Sequence, residues 1–165
     1  MTDYLFLVAE LAAAFAGFTA IVSVLDARSD SRKRALDVLR LRAMLEASLT
    51  TIALALLSSL LLQAGLGETA WRWACAIGAL AVGVLYVAQV RRSFTREMKE
   101  IPGYSLIFAR FLAGMGIAGM GGLIAGAFGV GDPATLYALS ATLLLSVAGL
   151  QFFRVSISIM GSASA

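Results

Sequence analysis

Five long apolar runs determine what this chain can fold into. They cover approximately residues 4–25, 43–66, 70–90, 105–130 and 133–155. Each run is close to the roughly 20 residues that an α-helix needs to cross the hydrocarbon of a bilayer. The runs are continuously apolar, whereas the strands of a membrane barrel alternate in character over about ten residues. The sequence therefore predicts an all-α membrane protein, with residues 1–165 forming one bundle of five transmembrane helices.

The composition indicates that lipid is the solvent for most of the chain. Of its 165 residues, 60% are hydrophobic and 14% are charged, whereas soluble domains average about 45–50% apolar and about 25% charged residues. A soluble domain of this size leaves much of its surface exposed and could not hide so many apolar side chains. The N-terminal segment lacks the positive residues of a secretory signal, so we expect it to remain as the first helix.

The fourth run is rich in glycine, with seven glycines between residues 114 and 129. Within it, Ala118, Gly122 and Gly126 repeat at four-residue spacing, a pattern typical of helices that approach each other closely. The first run has small residues at the same spacing, which makes the first helix a natural partner for the fourth. In the alternative interpretation the fourth run is kinked or re-entrant, which leaves four spans and a freed backbone along a polar path.

The lysines and arginines predict the orientation of the chain. They are concentrated in two connecting segments, residues 26–42 and 91–104, which flank apolar runs. Because cytoplasmic loops of membrane proteins carry an excess of Lys and Arg, both segments and the C-terminus are predicted to be cytoplasmic, with the N-terminus outside. The expected location is a cell membrane, such as a bacterial inner membrane. This placement also explains the net charge of +3 without a nucleic-acid partner.

Glu10 is the most informative single residue, because it lies inside the first apolar run. A carboxylate near the centre of a bilayer costs about 2.5–3.5 kcal/mol on insertion scales, so it should face protein or water. Ala13 and Gly17 lie on the same helix face and would let another helix come close. Glu10 is either a proton or cation site or a buried structural carboxyl. Three further residues are expected at a similar depth and are candidates for the same polar site: Gln63, Arg72 and Tyr137.

A second group of polar residues is expected near the cytoplasmic ends of the helices. Its members are Asp26, Glu46, Arg110, Gln151 and Arg154. An ion pair between Glu46 and Arg110 would neutralise both charges, and breaking such a buried pair typically costs about 3–5 kcal/mol. This group is either a structural clasp or a gate.

Metal, cofactor and enzyme chemistry have little support in the sequence. The chain contains no histidine, and Cys75 is its only cysteine, which removes most zinc, haem and iron–sulfur sites. It offers no nucleophile beside a base and no carboxylates at catalytic spacing. We therefore expect no cofactor, no metal and no enzymatic activity.

Three functional hypotheses follow from the buried charges and the small residues. The first is an oligomeric channel or transporter-like protein for protons, cations or small solutes, centred on Glu10. Its pathway would lie between protomers or on a symmetry axis, because five short helices enclose little room. The second is an accessory or scaffold subunit of a larger membrane complex. The third, with the least support, is a membrane enzyme or a lipid-handling protein. The expected partners are thus the lipid bilayer and either further copies of the chain or other membrane subunits.

Overall fold

The computed structural model describes residues 2–25, 31–65, 67–93 and 105–163, and these ranges contain five α-helices and no strand. The helices are α1 (Thr2–Leu25), α2 (Ser31–Gln63), α3 (Glu68–Ser93), α4 (Leu106–Ala127) and α5 (Pro133–Ala163). Each contains a stretch long and apolar enough to span a membrane. The predicted all-α fold with five such helices is therefore confirmed.

The apolar stretches of the five helices are well defined. They are Asp3–Val22, Arg40–Gln63, Glu68–Ala88, Leu106–Ala127 and Pro133–Ile157. The glycine-rich run forms one continuous helix of 22 residues. Of the two basic segments, residues 31–42 belong to α2 and residues 91–93 to α3. Residues 26–30, which include Asp26, and residues 94–104 lie outside the described residues.

Local sequence explains where α4 and α5 begin and why the chain turns between them. The Ser105 side chain accepts a hydrogen bond from the backbone N–H of Phe108 and so caps α4. At the start of α5, an Asp132 side-chain oxygen accepts the backbone N–H of Thr135 at 2.9 Å. Both satisfy N–H groups that a helix start leaves unpaired. Between the helices, Gly129 has φ +74°, a left-handed conformation that glycine adopts without strain.

Helices α2 and α5 pack on each other, and each of the other helices packs on one or both of them. Helix α1 lies against α2 and α5, whereas α4 lies against α3 and α5. We call the end of the bundle at which α1, α3 and α5 begin the short-loop end, and the opposite end the long-loop end. In the described ranges, α1 and α4 share no substantial contact with each other. The partnership between α1 and α4 expected from their small residues is therefore not made within one chain.

Two apolar clusters fill the bundle. The cluster at the short-loop end contains the fully buried side chains of Leu5, Leu123 and Tyr137. The cluster at the long-loop end centres on Met44 and Val155, and the rings of Phe15 and Phe18 on α1 pack around Phe152 there.

Candidate functional site

Glu10 lies on the outer surface of α1. At 1.5 Å per residue it is about 4 Å from the middle of the span Asp3–Val22. Its side chain is exposed, and it makes no hydrogen bond or ion pair within the described ranges. The residues of α1 that face the bundle, such as Leu5, Val8 and Ala12, are buried. At about 100° per residue, Glu10 points in the opposite direction from them. In a single chain in a bilayer, the carboxyl group would face lipid.

Small residues surround Glu10 on this outer face of α1. Ala13, Ala14 and Gly17 are exposed like Glu10 itself. A Cβ placed on Gly17 would meet nothing within 4 Å, so no part of the described chain packs against the helix here. An open face of this kind lets a second helix approach closely. We call Glu10, Ala13, Ala14 and Gly17 the Glu10 face.

The three other residues of the predicted outer site do not gather around Glu10. Gln63 is exposed at the end of α2. Arg72 donates a hydrogen bond to Glu68, one turn earlier on α3, at 2.9 Å. Tyr137 is fully buried and donates a hydrogen bond to the carbonyl oxygen of Leu54 at 2.5 Å. Tyr137 therefore joins α5 to α2, and Arg72 forms an exposed ion pair of the kind worth about 0–1 kcal/mol.

The predicted cluster at the long-loop end is also divided. Arg42 donates a hydrogen bond to Glu46 at 2.8 Å within α2. Arg154 lies over the ring of Phe108, with its guanidinium carbon 4.4 Å from the ring centroid, a cation–π contact between α5 and α4. Arg110 is exposed on α4. The expected pair between Glu46 and Arg110 is not among the contacts of the described residues.

The glycines of α4 serve two opposite surfaces. Gly116, Gly122 and Gly126 face the bundle, where an added Cβ would lie 3.1 Å from the Tyr86 ring, 2.7 Å from Ser140 Oγ and 2.7 Å from Cys75 Sγ, respectively. Two members of the predicted packing stripe, Gly122 and Gly126, thus allow close contact with α5 and α3.

The opposite surface of α4 is open. Gly114, Ala118 and Gly121 are exposed, and a Cβ on either glycine would meet nothing within 4 Å. Arg110 lies on the same side, in line with Gly114 and Gly121 at helical spacing. Like Glu10, Arg110 has no hydrogen-bond or ion-pair partner among the described residues. We call Arg110, Gly114, Ala118 and Gly121 the Arg110 face.

Most hydroxyl groups inside the bundle bind their own helix. Each of the following side chains donates a hydrogen bond to a backbone carbonyl three or four residues earlier: Thr19, Thr50, Thr51, Ser58, Ser140, Thr142 and Ser146. Their donors are therefore already used. Ser48 Oγ and Gln151 Oε1 are also buried, and they have no hydrogen-bond partner among the described residues. The described interior thus lacks a continuous series of free polar groups along which an ion could move.

The structure also reveals a polar contact that the sequence does not predict. The hydroxyl oxygens of Tyr4 and Thr142 lie 2.6 Å apart and connect α1 to α5. The pattern of apolar runs carries no signal for this pair, because 138 residues separate the two side chains.

Near the short-loop end, hydrogen bonding lowers the pKa of Asp132. The largest cause is the hydrogen bond from the Thr135 side chain, followed by the bond from the Thr135 backbone N–H. Both stabilise the charged carboxylate that caps α5.

No known protein family matches this chain, and no curated protein or solved structure is similar to it.

Proposed function

We propose that this multi-pass protein acts as a subunit of a larger membrane assembly, and that the Glu10 face of α1 is its contact site. The observation that carries the proposal is the position of Glu10. An ionisable side chain near the middle of a span points away from its own bundle and has no partner among the described residues.

Charged side chains inside membranes almost always face protein or water, because exposure to lipid is costly. A second membrane-spanning chain packed on the Glu10 face would supply a polar partner and exclude the lipid. The open backbone at Gly17 suits such close packing. The same arrangement explains why small residues and the carboxyl share one face.

Site-specific photocross-linking in the native membrane tests this proposal. A benzophenone amino acid at position 14 would lie on the Glu10 face. A matched probe at position 56 replaces Leu56, which is 52% exposed on the outer face of α2. We expect the probe at position 14 to form a protein–protein adduct in high yield, and the probe at position 56 to react mainly with lipid. If both probes react only with lipid, the proposal is wrong.

Conduction of protons or cations along the same contact is the second candidate function. It is favoured by the ionisable group of Glu10 at mid-depth, since carboxyl groups in this position serve proton and ion pathways in membranes. The satisfied hydroxyls of the bundle interior favour a path between chains over a path through one chain. Flux into liposomes that is abolished by Glu10→Gln and retained by Glu10→Asp would support conduction. If the wild type shows no flux of protons or common cations, conduction is excluded and only the subunit function remains.

A further inference from the structure

We infer that the partner of the Glu10 face is the Arg110 face of α4 in a second copy of this chain, with Glu10 and Arg110 forming an ion pair between protomers. The inference rests on the proposed function, because it names the chain that covers α1. It follows from two open faces that match in charge, in depth and in shape.

The charges match because each face carries one unpartnered group of opposite sign. Within the described residues, the outer surfaces of α1 and α4 hold these two groups, each at the N-terminal end of an open row of alanine and glycine. Either charge alone faces lipid, whereas together they neutralise each other in a medium of low dielectric constant, where the attraction is strong.

The depths match when α5 is used as a common reference. Phe15 on α1 lies against Gly149 and Phe152 of α5. Gly119 on α4 lies against Ser140 and Leu143. Counting from these contacts at 1.5 Å per residue, Glu10 and Gly114 both fall near the level of residue 146, and Arg110 lies about 6 Å closer to the long-loop end. The long side chain of Arg110 reaches across that distance.

The shapes match because large and small residues alternate between the two faces. Helices α1 and α4 run in opposite directions through the bundle, so copies with the same orientation pair them antiparallel. In that pairing Glu10 lies opposite Gly114, and Arg110 lies opposite Ala14. Each charged side chain therefore meets a residue that leaves room for it, which is how small residues permit close helix contact.

Within the described part of a single chain, α1 and α4 both lie against α5 and make no substantial contact with each other. The contact joins two different surfaces of the same protein. Such a heterologous interface produces a ring when the rotation between copies closes.

Cysteine cross-linking tests the geometry. The background variant is Cys75→Ala, which removes the only native cysteine. The reporters are Phe6→Cys on α1 and Ala118→Cys on α4, which face each other in the antiparallel pairing. We expect no cross-link in either single-cysteine chain, dimers in a mixture of the two, and a ladder of higher species in a chain with both. Leu56→Cys, which is exposed on the outer face of α2, replaces Ala118→Cys in the control mixture and should give no cross-linked dimer.

Two results would overturn the geometry. Dimers formed by Phe6→Cys chains alone would mean that α1 pairs with α1. No dimers in the mixture of Phe6→Cys and Ala118→Cys would mean that α1 and α4 of different copies do not meet.

Subunit exchange between fluorescently labelled copies in liposomes tests the ion pair. We expect Glu10→Gln or Arg110→Gln to weaken association by roughly tenfold or more, since each leaves a buried charge unpaired. The double variant should be no weaker than either single variant, because the two effects are coupled. Effects that simply multiply would show that the residues do not meet. If the effects multiply but the probe at position 14 still cross-links to protein, the proposed contact site on the Glu10 face is retained and only the assignment of its partner is wrong.

Discussion

Because Gly126 contacts Cys75, Gly126→Ala should change the free energy of unfolding in opposite directions in the wild type and in a Cys75→Ala chain. In Gly126→Ala the new Cβ would lie 2.7 Å from Cys75 Sγ and 3.5 Å from Pro133 Cα. Non-bonded carbon atoms are comfortable at about 3.5–4.0 Å, so the sulfur must move by close to 1 Å. Its own helix and the Pro133 carbonyl, 3.5 Å away, surround it.

Overpacking of this kind costs about 1–3 kcal/mol, and replacement of a helical glycine by alanine offsets up to about 1 kcal/mol. We therefore expect Gly126→Ala to lower the free energy of unfolding by about 1–2 kcal/mol. In a Cys75→Ala background the sulfur is gone, and the same change fills the space it leaves. There it should raise the free energy of unfolding.

Equilibrium unfolding in mixed micelles, followed by circular dichroism, measures all four members of the cycle. Gly121→Ala is the matched control: it lies on the same helix with nothing within 4 Å, so its effect should be the same in both backgrounds. Similar effects of Gly126→Ala in the two backgrounds would refute the packing of α4 against α3 described above.

Three further predictions concern single polar groups. Tyr137→Phe should lower the free energy of unfolding by about 0.5–1.5 kcal/mol, because it removes the hydrogen bond to Leu54; unchanged stability would show that the bond contributes nothing. Ser48→Ala should leave the free energy of unfolding unchanged or raise it, since the buried hydroxyl has no partner among the described residues. A clear loss of stability in the same assay would mean that the hydroxyl has a stabilising partner. Asp132 has a pKa below its ordinary value near 3.8, so its stabilisation is complete above that pH and is lost as the pH falls through the lowered value. Thermal unfolding at acidic pH should show this loss in the wild type and not in Asp132→Asn, which retains a capping side chain; identical profiles would contradict it.

The number of spans was predictable from sequence because it depends on local hydrophobicity. A run of apolar residues has few ways to satisfy its backbone in lipid other than a helix. The cap at Asp132 was predictable for a similar reason, since Asp followed by Pro is typical of a helix start.

The partners of individual side chains were not predictable in the same way. Small residues occur on both faces of α4, and only packing decides that Gly126 faces Cys75 while Gly121 faces outward. The expected contact of Glu46 with Arg110 requires α2 and α4 to meet, whereas the bundle places α5 and α3 beside α4. Span length and composition carry no information about which helices are neighbours.

The outward positions of Glu10 and Arg110 favour a pairing that depends on assembly over two independent sites. Two charges within one bundle would neutralise each other at every concentration, whereas charges on the separate faces of α1 and α4 do so only when copies meet. In a lone chain each charge raises the free energy of the membrane-embedded state. The increase is at most about 2.5–3.5 kcal/mol on insertion scales, and it is smaller for Arg110, which lies about 10 Å from the middle of the span Leu106–Ala127. Each contact between copies removes part of this penalty from one Glu10 and from one Arg110. A copy with a neighbour on each side is therefore stabilised through both of its charged faces. The arrangement therefore favours a closed ring, in which every Glu10 and every Arg110 has a partner, over an open row that leaves one of each facing lipid.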